Sequence, residues 1–520
     1  MTEQIYSQYP PPIPEDLSSQ IALYVKNWTA EHGLLVRPSA KQVTADANPN
    51  NVLATNAPVS LFPSPFPRKL FEQAQSLQTV YNELLIEVDD FLANLWKIHL
   101  EVKAEGYAHE HTLGLFRSDY MLDAATDTVK QVEFNTISSS FGGLSSRVAE
   151  LHTELLSFPS AEKPLLPSLS PKTEASVKQL PPPNKAVPTL ARGLATAHKA
   201  YGPSKSDPPL PLCIIFLVQP DERNIFDQLA LSTHIHKYHS IPTFRLPTTS
   251  VLTSTKIGNT PSRPLIYTPP FAPTQQYEVT TVYFRALYAP SEYTSPSIWA
   301  ARHHLERSCA TKCPSILLHL SGSKKVQQIL TSTTPADILA SFLPNTSKST
   351  LDSLRSTFSP QFSMSDDDAS GLALATDPKT SQNYVLKPQR EGGGNNIYKH
   401  NIPPFLASIP KDQYKQYILM ELIHPPKTAH NTVLRSDGEV VSGEVISELG
   451  IFGTALWKTT KAKAGEEGGG EGKRVFPEIL HNEEGGYLMR TKASGSDEGG
   501  VAAGFSSLDS VVLYDEEDFA

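Results

Sequence analysis

The chain has 520 residues, 39% hydrophobic and 19% charged, a balance that fits folded domains in water and a length too great for one hydrophobic core. Its 45 basic and 54 acidic residues leave a net charge of −9, which argues against a general nucleic-acid or membrane-surface binder, since either needs a basic face. Three cysteines, Cys213, Cys309 and Cys313, are too few and odd in number for a disulfide scaffold and point to a reducing compartment, so the cytoplasm is the expected location.

The opening MTEQIYSQYPPPIPEDL has neither the basic nor the apolar region of a secretory signal. Asp16 can cap a helix with apolar positions Leu17, Ile21, Tyr24 and Val25, and Gly33 can end it. Residues 68–104 carry a long helical pattern, with Leu84, Leu85, Val88, Phe91, Leu92, Leu95 and Trp96 on one broad stripe. Residues 113–143 read as strands with polar loops, and much of 158–211, rich in Pro, Ser and Lys, reads as an extended surface insertion. From 212 the pattern alternates strand and helix, which is α/β character: LCIIFLV, ERNIFDQLALSTHIHKY, TTVYFRALY. LCIIFLV is far short of the ~20 residues that cross a bilayer and predicts a buried strand. Residues 248–275 form a second Pro/Thr-rich insertion, and a helical segment follows near 299–330. Within it HHLERSCATKC is expected to be a plain packed helical element. Zinc is disfavoured there: His303 and His304 would point about 100° apart on a helix, and C-x₃-C beside them matches no usual ligand spacing. Several strands are expected over 380–460, and AGEEGGGEGK at 464–473 is a flexible loop, with no apolar strand leading in.

One glycine-rich stretch differs from that loop. In YVLKPQREGGGNNIY the β-forming Tyr384, Val385 and Leu386 lead to Lys387, and Gly392, Gly393 and Gly394 then permit positive φ and close backbone approach. Successive amides in such a turn make an anion-binding concavity. Lys387 offers a point charge to phosphate, while Glu391 and Asn396 offer oxygens to Mg²⁺. A hairpin turn with solvated flanks is the plain alternative. The P-loop spacing is absent, and a kinase-like GxGxxG breaks at Ile397. A phosphate-binding glycine loop matching neither suggests the ATP-grasp fold.

Upstream, QVEFNTISSSFGG alternates with period two: Val132 and Phe134 share one face, Glu133 and Asn135 the other. A carboxylate and an amide oxygen so spaced make half of a Mg²⁺ site. Ser138 to Gly143 then form a polar loop suited to a substrate carboxylate or amide; an exposed strand face and a turn is the alternative. Arg117, Arg285 and Arg490, with Lys492 beside the last, each follow apolar runs and are expected at strand ends, where an arginine can be held for bidentate carboxylate binding. Lys324 and Lys325 stand at a helix start, and Glu448 precedes what reads as a glycine turn.

FRSDYM, VEFNTISSSFGGLSSR, ERNIFDQ, YFRALY, ERSCATKCPSI with GSKKVQQ, VLKPQREGGGNNIY, YILMELI, SELGIFG and RTKASGSDEGGVAAG, in this order over about residues 110–505, resemble the eukaryotic glutathione synthetases. The resemblance implies an α/β, ATP-grasp core: residues 1–211 carrying the Mg²⁺ and substrate strand, an inserted substrate-binding domain over 212–322, and a nucleotide-binding part with a glycine-rich lid over 323–520. It implies a homodimer using ATP, γ-glutamylcysteine and glycine, with no nucleic-acid or membrane partner. By the same resemblance Glu133, Asn135 and Glu391 hold Mg²⁺, and Lys324, Lys387 and the loop Gly392, Gly393, Gly394, Asn395 and Asn396 hold ATP phosphates. Tyr398, Met420, Glu421 and Ile423 line the adenine side; Glu448 and Lys492 also touch ATP. Arg117 and Arg490 clamp carboxylates and neutralise the developing acyl phosphate. Ser138, Ser140, Glu222, Asn224, Gln228, Arg285 and Tyr288 bind γ-glutamylcysteine, with Val501 and Ala502 offering amides from a closing loop.

The chain departs from the family pattern in two places. Glu498 stands among the ATP contacts where the family has an aspartate, and Ala286 and Leu287 replace a polar residue and a glycine. Two competing readings are a different acceptor, β-alanine or serine, and an inactive member that binds nucleotide or thiol peptide.

Overall fold

The computed structural model describes the chain except residues 1–4, 7–8, 11–13, 85–92, 158–180, 332–337, 366–368, 390–394, 459–476, 495–505 and 516–520. A 13-stranded sheet forms its spine. At the centre runs the 19-residue strand Val440–Lys458, whose apolar half, Leu449 to Trp457, is buried throughout. It pairs antiparallel with Ile479–Ala493 on one side and with His111–Asp123 on the other, while its first five residues pair with His430–Leu434. His430–Leu434 leads through Val59–Ser60 and Ser506–Asp509 back to Ile479–Ala493, so this half of the sheet closes on itself.

Beyond His111–Asp123 the sheet becomes parallel, through Thr311–Cys313, Tyr277–Phe284, Leu212–Val218 and Thr243–Pro247. Leu212–Val218 is the expected buried strand. Ile214 and Phe216 enter one core, and Cys213, Ile215 and Leu217 enter another. A strand covered on both faces needs a continuous apolar run rather than alternation.

Helices Gly142–Ser157, Ala186–Tyr201 and Ile225–His239 pack together on one face of the sheet, burying Leu144, Val148, Leu190, Leu194, Leu231 and Ile235 with Phe216. A second, four-stranded antiparallel sheet has the order Gln361–Ser363, Tyr417–Glu421, Tyr384–Pro388, Ile397–Tyr398. The pleat divides it cleanly: the paired Leu386 and Leu419 pack on Ile402 and Leu406 of helix Ile402–Ser408, and the neighbouring pair Val385 and Met420 lines a cavity.

Several expectations are corrected. Asp16 lies inside the first turn of helix Glu15–Glu31, after Pro14, where its charge favours the helix dipole without capping; Gly33, at φ +69°, follows the end as expected. The pattern over 68–104 forms helices Arg68–Leu84 and Ala93–Glu105; Leu85, Val88, Phe91 and Leu92 lie outside the described residues. The stretch 158–211 contains Ala186–Tyr201, a helix with nine buried residues; a packed apolar face outweighs the proline-rich flank. Residues 248–275 supply the strands Thr255–Ile257 and Leu265–Tyr267, the last two of the sheet on that side. HHLERSCATKC is not one helix. Pro296–Arg307 ends with Ser308 in extended conformation, and Thr311–Cys313 is a short strand. The loop 464–473 lies outside the described residues.

Candidate active site

A cavity of about 760 Å³ opens between the two sheets, within the roughly 300–1,000 Å³ range of small-molecule sites. The large sheet contributes Glu133, Glu448, Arg490 and Lys492 to its wall. Lys324, the first residue of helix Lys324–Thr331, joins them. The small sheet and its edges contribute Lys387, Asn395, Asn396, Tyr398, Met420, Glu421 and Ile423. The structure therefore brings twelve separately predicted residues to one cavity. The segment His424, Pro425, Pro426 and Lys427, with Gln382, also lines it and carried no sequence signal.

Charge at the cavity is arranged in contacts. Lys324 Nζ lies 3.0 Å from Glu133 Oε2. Lys387 Nζ donates to the Val132 carbonyl at 2.9 Å, one residue away. Burial raises the Glu133 carboxyl, but Lys324 and Lys387 outweigh it and hold it below the usual carboxylate range. Burial lowers the Lys387 ammonium to about 8, against the opposing pull of Glu133. The Arg490 guanidinium is also lowered by burial.

Next to the lysines sits a carboxylate that the sequence reading did not single out. Asp119 is fully buried and accepts Arg117 Nε and Nη2 at 2.6 and 2.8 Å, Arg490 Nη2 at 3.1 Å and Asn135 Nδ2 at 3.0 Å. Arg490 also pairs with Glu448. Arg117 and Arg490 stand within strands His111–Asp123 and Ile479–Ala493, not at their ends; of the three arginines only Arg285 follows a strand terminus. Nor is there a turn after Glu448. Gly450 continues the strand opposite Asp119, and a Cβ there would fall 2.7 Å from Arg117 Cδ and 2.8 Å from Asp119 Oδ1, so glycine gives the ion pair its space.

A third cluster adjoins through Ser140. Its carbonyl accepts Arg117 Nη1 at 3.1 Å, and its hydroxyl accepts Arg285 Nη2 at 2.7 Å. Arg285 also pairs with buried Asp227 at 2.9 Å, and Asp227 accepts the amides of Phe141 and Gly143 at 2.9 and 2.7 Å. Gly142 and Gly143 thus open helix Gly142–Ser157 rather than belonging to a loop. Asn224 and Gln228 are buried beside this cluster, and Gln228 donates to Glu222 at 2.6 Å. Among the described residues, Arg285 Nε and Nη1 and Asn224 Oδ1 are buried without a hydrogen-bond partner. Two donors and an acceptor left unmet in a buried cluster mark a place for a polar ligand. Ser138, at φ +53°, donates to the Phe284 carbonyl at 3.1 Å. Tyr288 and Leu287 are held by their amides on Glu292, both at 2.9 Å, and Leu287 takes a φ of +68° that a glycine would adopt without strain. Glu391, Gly392, Gly393, Gly394, Glu498, Val501 and Ala502 lie outside the described residues.

Glu133 and Asn135 follow each other on one strand face, both hard oxygen donors. The Asn135 amide nitrogen is taken by the Arg117 carbonyl and Asp119, so its oxygen is the end that could meet a cation. Among the described residues no group of three His, Cys, Asp or Glu gathers around a metal position. Mg²⁺ usually takes one or two carboxylates and completes its shell with phosphate oxygens and water, so the donors present fit it.

Two sheets around a cavity of lysines, arginines and carboxylates, with a buried arginine cluster alongside, are consistent with an ATP-dependent ligase of the ATP-grasp type. The family model described as the ATP-binding domain of eukaryotic glutathione synthase matches residues 15–513. The chain is 37% identical to a chloroplastic glutathione synthetase of Solanum lycopersicum, over 96% of this chain and 86% of that one. It is 33% identical to a glutathione synthetase of Dictyostelium discoideum, over 94% and 97%, and 34% identical to one of Xenopus laevis, over 92% and 94%. A glutathione synthetase-like effector of Globodera pallida, solved in its apo form, shares the fold with a TM-score of 0.68 at 20% identity, covering 97% of this chain and 98% of that one. The chain belongs to the eukaryotic glutathione synthase family.

Proposed function

We propose that this chain carries out the reaction of its family, the ATP-dependent joining of γ-glutamylcysteine and glycine to glutathione, with the work divided among three neighbouring clusters. Lys324, Lys387, Lys492 and the loop through Asn395 and Asn396 hold the nucleotide phosphates; Met420, Glu421, Ile423 and Tyr398 hold the base. Glu133, Asn135 and Glu391 would hold Mg²⁺, which when bound neutralises phosphate charge. Arg117 and Arg490 hold the C-terminal carboxylate of γ-glutamylcysteine in line with the terminal phosphate. They balance negative charge as that carboxylate oxygen bonds to phosphorus and ADP leaves. The glycine amine then attacks the acyl carbon, phosphate departs and the amide forms. Arg285, Asn224, Glu222, Gln228, Ser138, Ser140 and Tyr288 hold the γ-glutamyl end.

The observation that carries this reading is Ser140. Its carbonyl meets Arg117 and its hydroxyl meets Arg285, so one residue links the clamp beside the cavity to the cluster with unmet donors, which supports reading them as parts of one site. A dipeptide spanning them places its γ-glutamyl carboxylate on Arg285 and its reacting carboxylate on Arg117. Domain limits of 1–211, 212–322 and 323–520 belong to this reading. They are supported by a core containing Ile215, Val282, Phe284 and Leu305 that draws almost wholly on the middle segment. A homodimer and a cytoplasmic location are also part of it. Among the described residues no helix is long and apolar enough to cross a membrane.

The test is phosphate release by the purified protein with ATP, Mg²⁺ and γ-glutamylcysteine, with and without glycine, and the product mass. Glycine-dependent release with glutathione formed is expected. Faster release with β-alanine or serine would change the acceptor. No release with any small amino acid would replace catalysis by binding.

A further inference from the structure

We infer that Asp119 is a positioning residue of this reaction, the carboxylate that fixes both clamp arginines and the asparagine beside them in one arrangement. The inference rests on the functional reading above. Asp119 is a fully buried acid on the strand that carries Arg117, two residues on and so on the same face. Its Oδ1 takes Arg117 Nε, and its Oδ2 takes Arg117 Nη2, Arg490 Nη2 and Asn135 Nδ2. Side-on pairing through Nε and Nη2 fixes the plane of the Arg117 guanidinium. The second arginine comes from a strand that does not pair with His111–Asp123, and the asparagine comes from a third strand. One carboxylate therefore sets the mutual placement of groups from three strands.

Without the charge on Asp119, two guanidinium groups would face each other across a buried space, and repulsion would separate them. The site would become more positive by one charge, which favours an anionic substrate in the ground state. Phosphoryl transfer, however, needs the acceptor carboxylate held in line, and small misplacements there are expensive. Loss of Asp119 should therefore appear in turnover far more than in binding. Gly450 offers an independent handle on the same contact. A methyl group there would push into Arg117 Cδ at 2.7 Å and Asp119 Oδ1 at 2.8 Å without changing any charge.

The experiment compares parent, Asp119→Asn and Gly450→Ala enzymes. It measures kcat, the dissociation constant of γ-glutamylcysteine by calorimetry without nucleotide or metal, and the unfolding midpoint. In both variants kcat is expected to fall at least about tenfold, with γ-glutamylcysteine binding changed by less than about threefold. Should Asp119→Asn fail to fold, Gly450→Ala alone decides by the same split. Turnover within about twofold of the parent in either folded variant would overturn the inference. So would equal losses in turnover and binding, which mark a structural role. Absence of glutathione synthesis by the parent enzyme would instead remove the functional reading.

Discussion

Lys324 Nζ and Glu133 Oε2 stand 3.0 Å apart, where helix Lys324–Thr331 starts against strand Thr128–Asn135. Each is the other's counter-ion at the wall of the cavity. Under the proposed function, bound phosphate would offer the lysine a stronger anion and release the carboxylate for a cation. Nucleotide and Mg²⁺ should therefore bind together. Replacing the carboxylate by an amide, Glu133→Gln, is expected to lower glycine-dependent phosphate release by about a hundredfold, in the range for losing one preorganised charged group at a transition state. Steady-state assays across a magnesium titration check this, and unchanged turnover would remove Glu133 from the metal site.

Lys387 titrates close to working pH. Burial brings its ammonium down to about 8, so it is charged below that pH and neutral above it. Only the charged form attracts phosphate. In the free enzyme the KM for ATP should therefore rise as pH passes from 7 through 9. Lys387→Arg, which stays charged, should flatten the rise. An ATP KM that is level across this range in the parent would contradict the assignment.

Arg285 touches the third cluster and not the nucleotide cavity. Arg285→Ala should raise the KM for γ-glutamylcysteine at least about tenfold, since the loss is of a charge-assisted contact. The KM for ATP should stay within about twofold of the parent. Initial rates with each substrate varied in turn would separate the two effects. Equal rises in both would mean that the cluster supports the whole site.

Gly143 tests the packing beneath that cluster. A Cβ there would lie 2.8 Å from Ala230 Cβ and 2.9 Å from the Asp227 carbonyl, both fixed by helix Ile225–His239. Gly143→Ala is expected to cost about 1–3 kcal/mol of stability by overpacking. It should also weaken γ-glutamylcysteine binding, because Asp227 holds Arg285. Denaturant unfolding followed on both proteins checks the first, and calorimetry the second.

The sequence was legible where local pattern and tertiary role agree. LCIIFLV is the buried strand that its unbroken apolar run predicts, and the run from Tyr384 to Lys387 is a strand that brings Val385 and Lys387 to the cavity. Lys387 and Arg490 are picked out by residue type and neighbours, Lys324 by the resemblance to the family, and all three line the cavity. Asp119 and Asp227 are not picked out. An acid inside FRSDYM or NIFDQ looks solvated until the arginine that neutralises it is placed opposite, and in both cases strand or helix packing supplies that placement. For Asp119 the spacing of two from Arg117 was the available signal. Helix Ala186–Tyr201 was hidden by its proline-rich neighbour, although Leu190, Leu194 and Ala197 mark its buried face at helical spacing.

The strand Val440–Lys458 exchanges neighbours along its length, and the cavity residues Glu444, Ile446 and Glu448 precede Gly450 on it at steps of two. Every second side chain therefore reports to the same face, and the chain's spacing acts as a ruler for the site. A single inserted or deleted residue between 444 and 450 would turn one part of that row away from the other, separating the nucleotide wall from the arginine clamp. Changes in length belong instead to segments outside such ladders, and this strand should evolve by substitution alone.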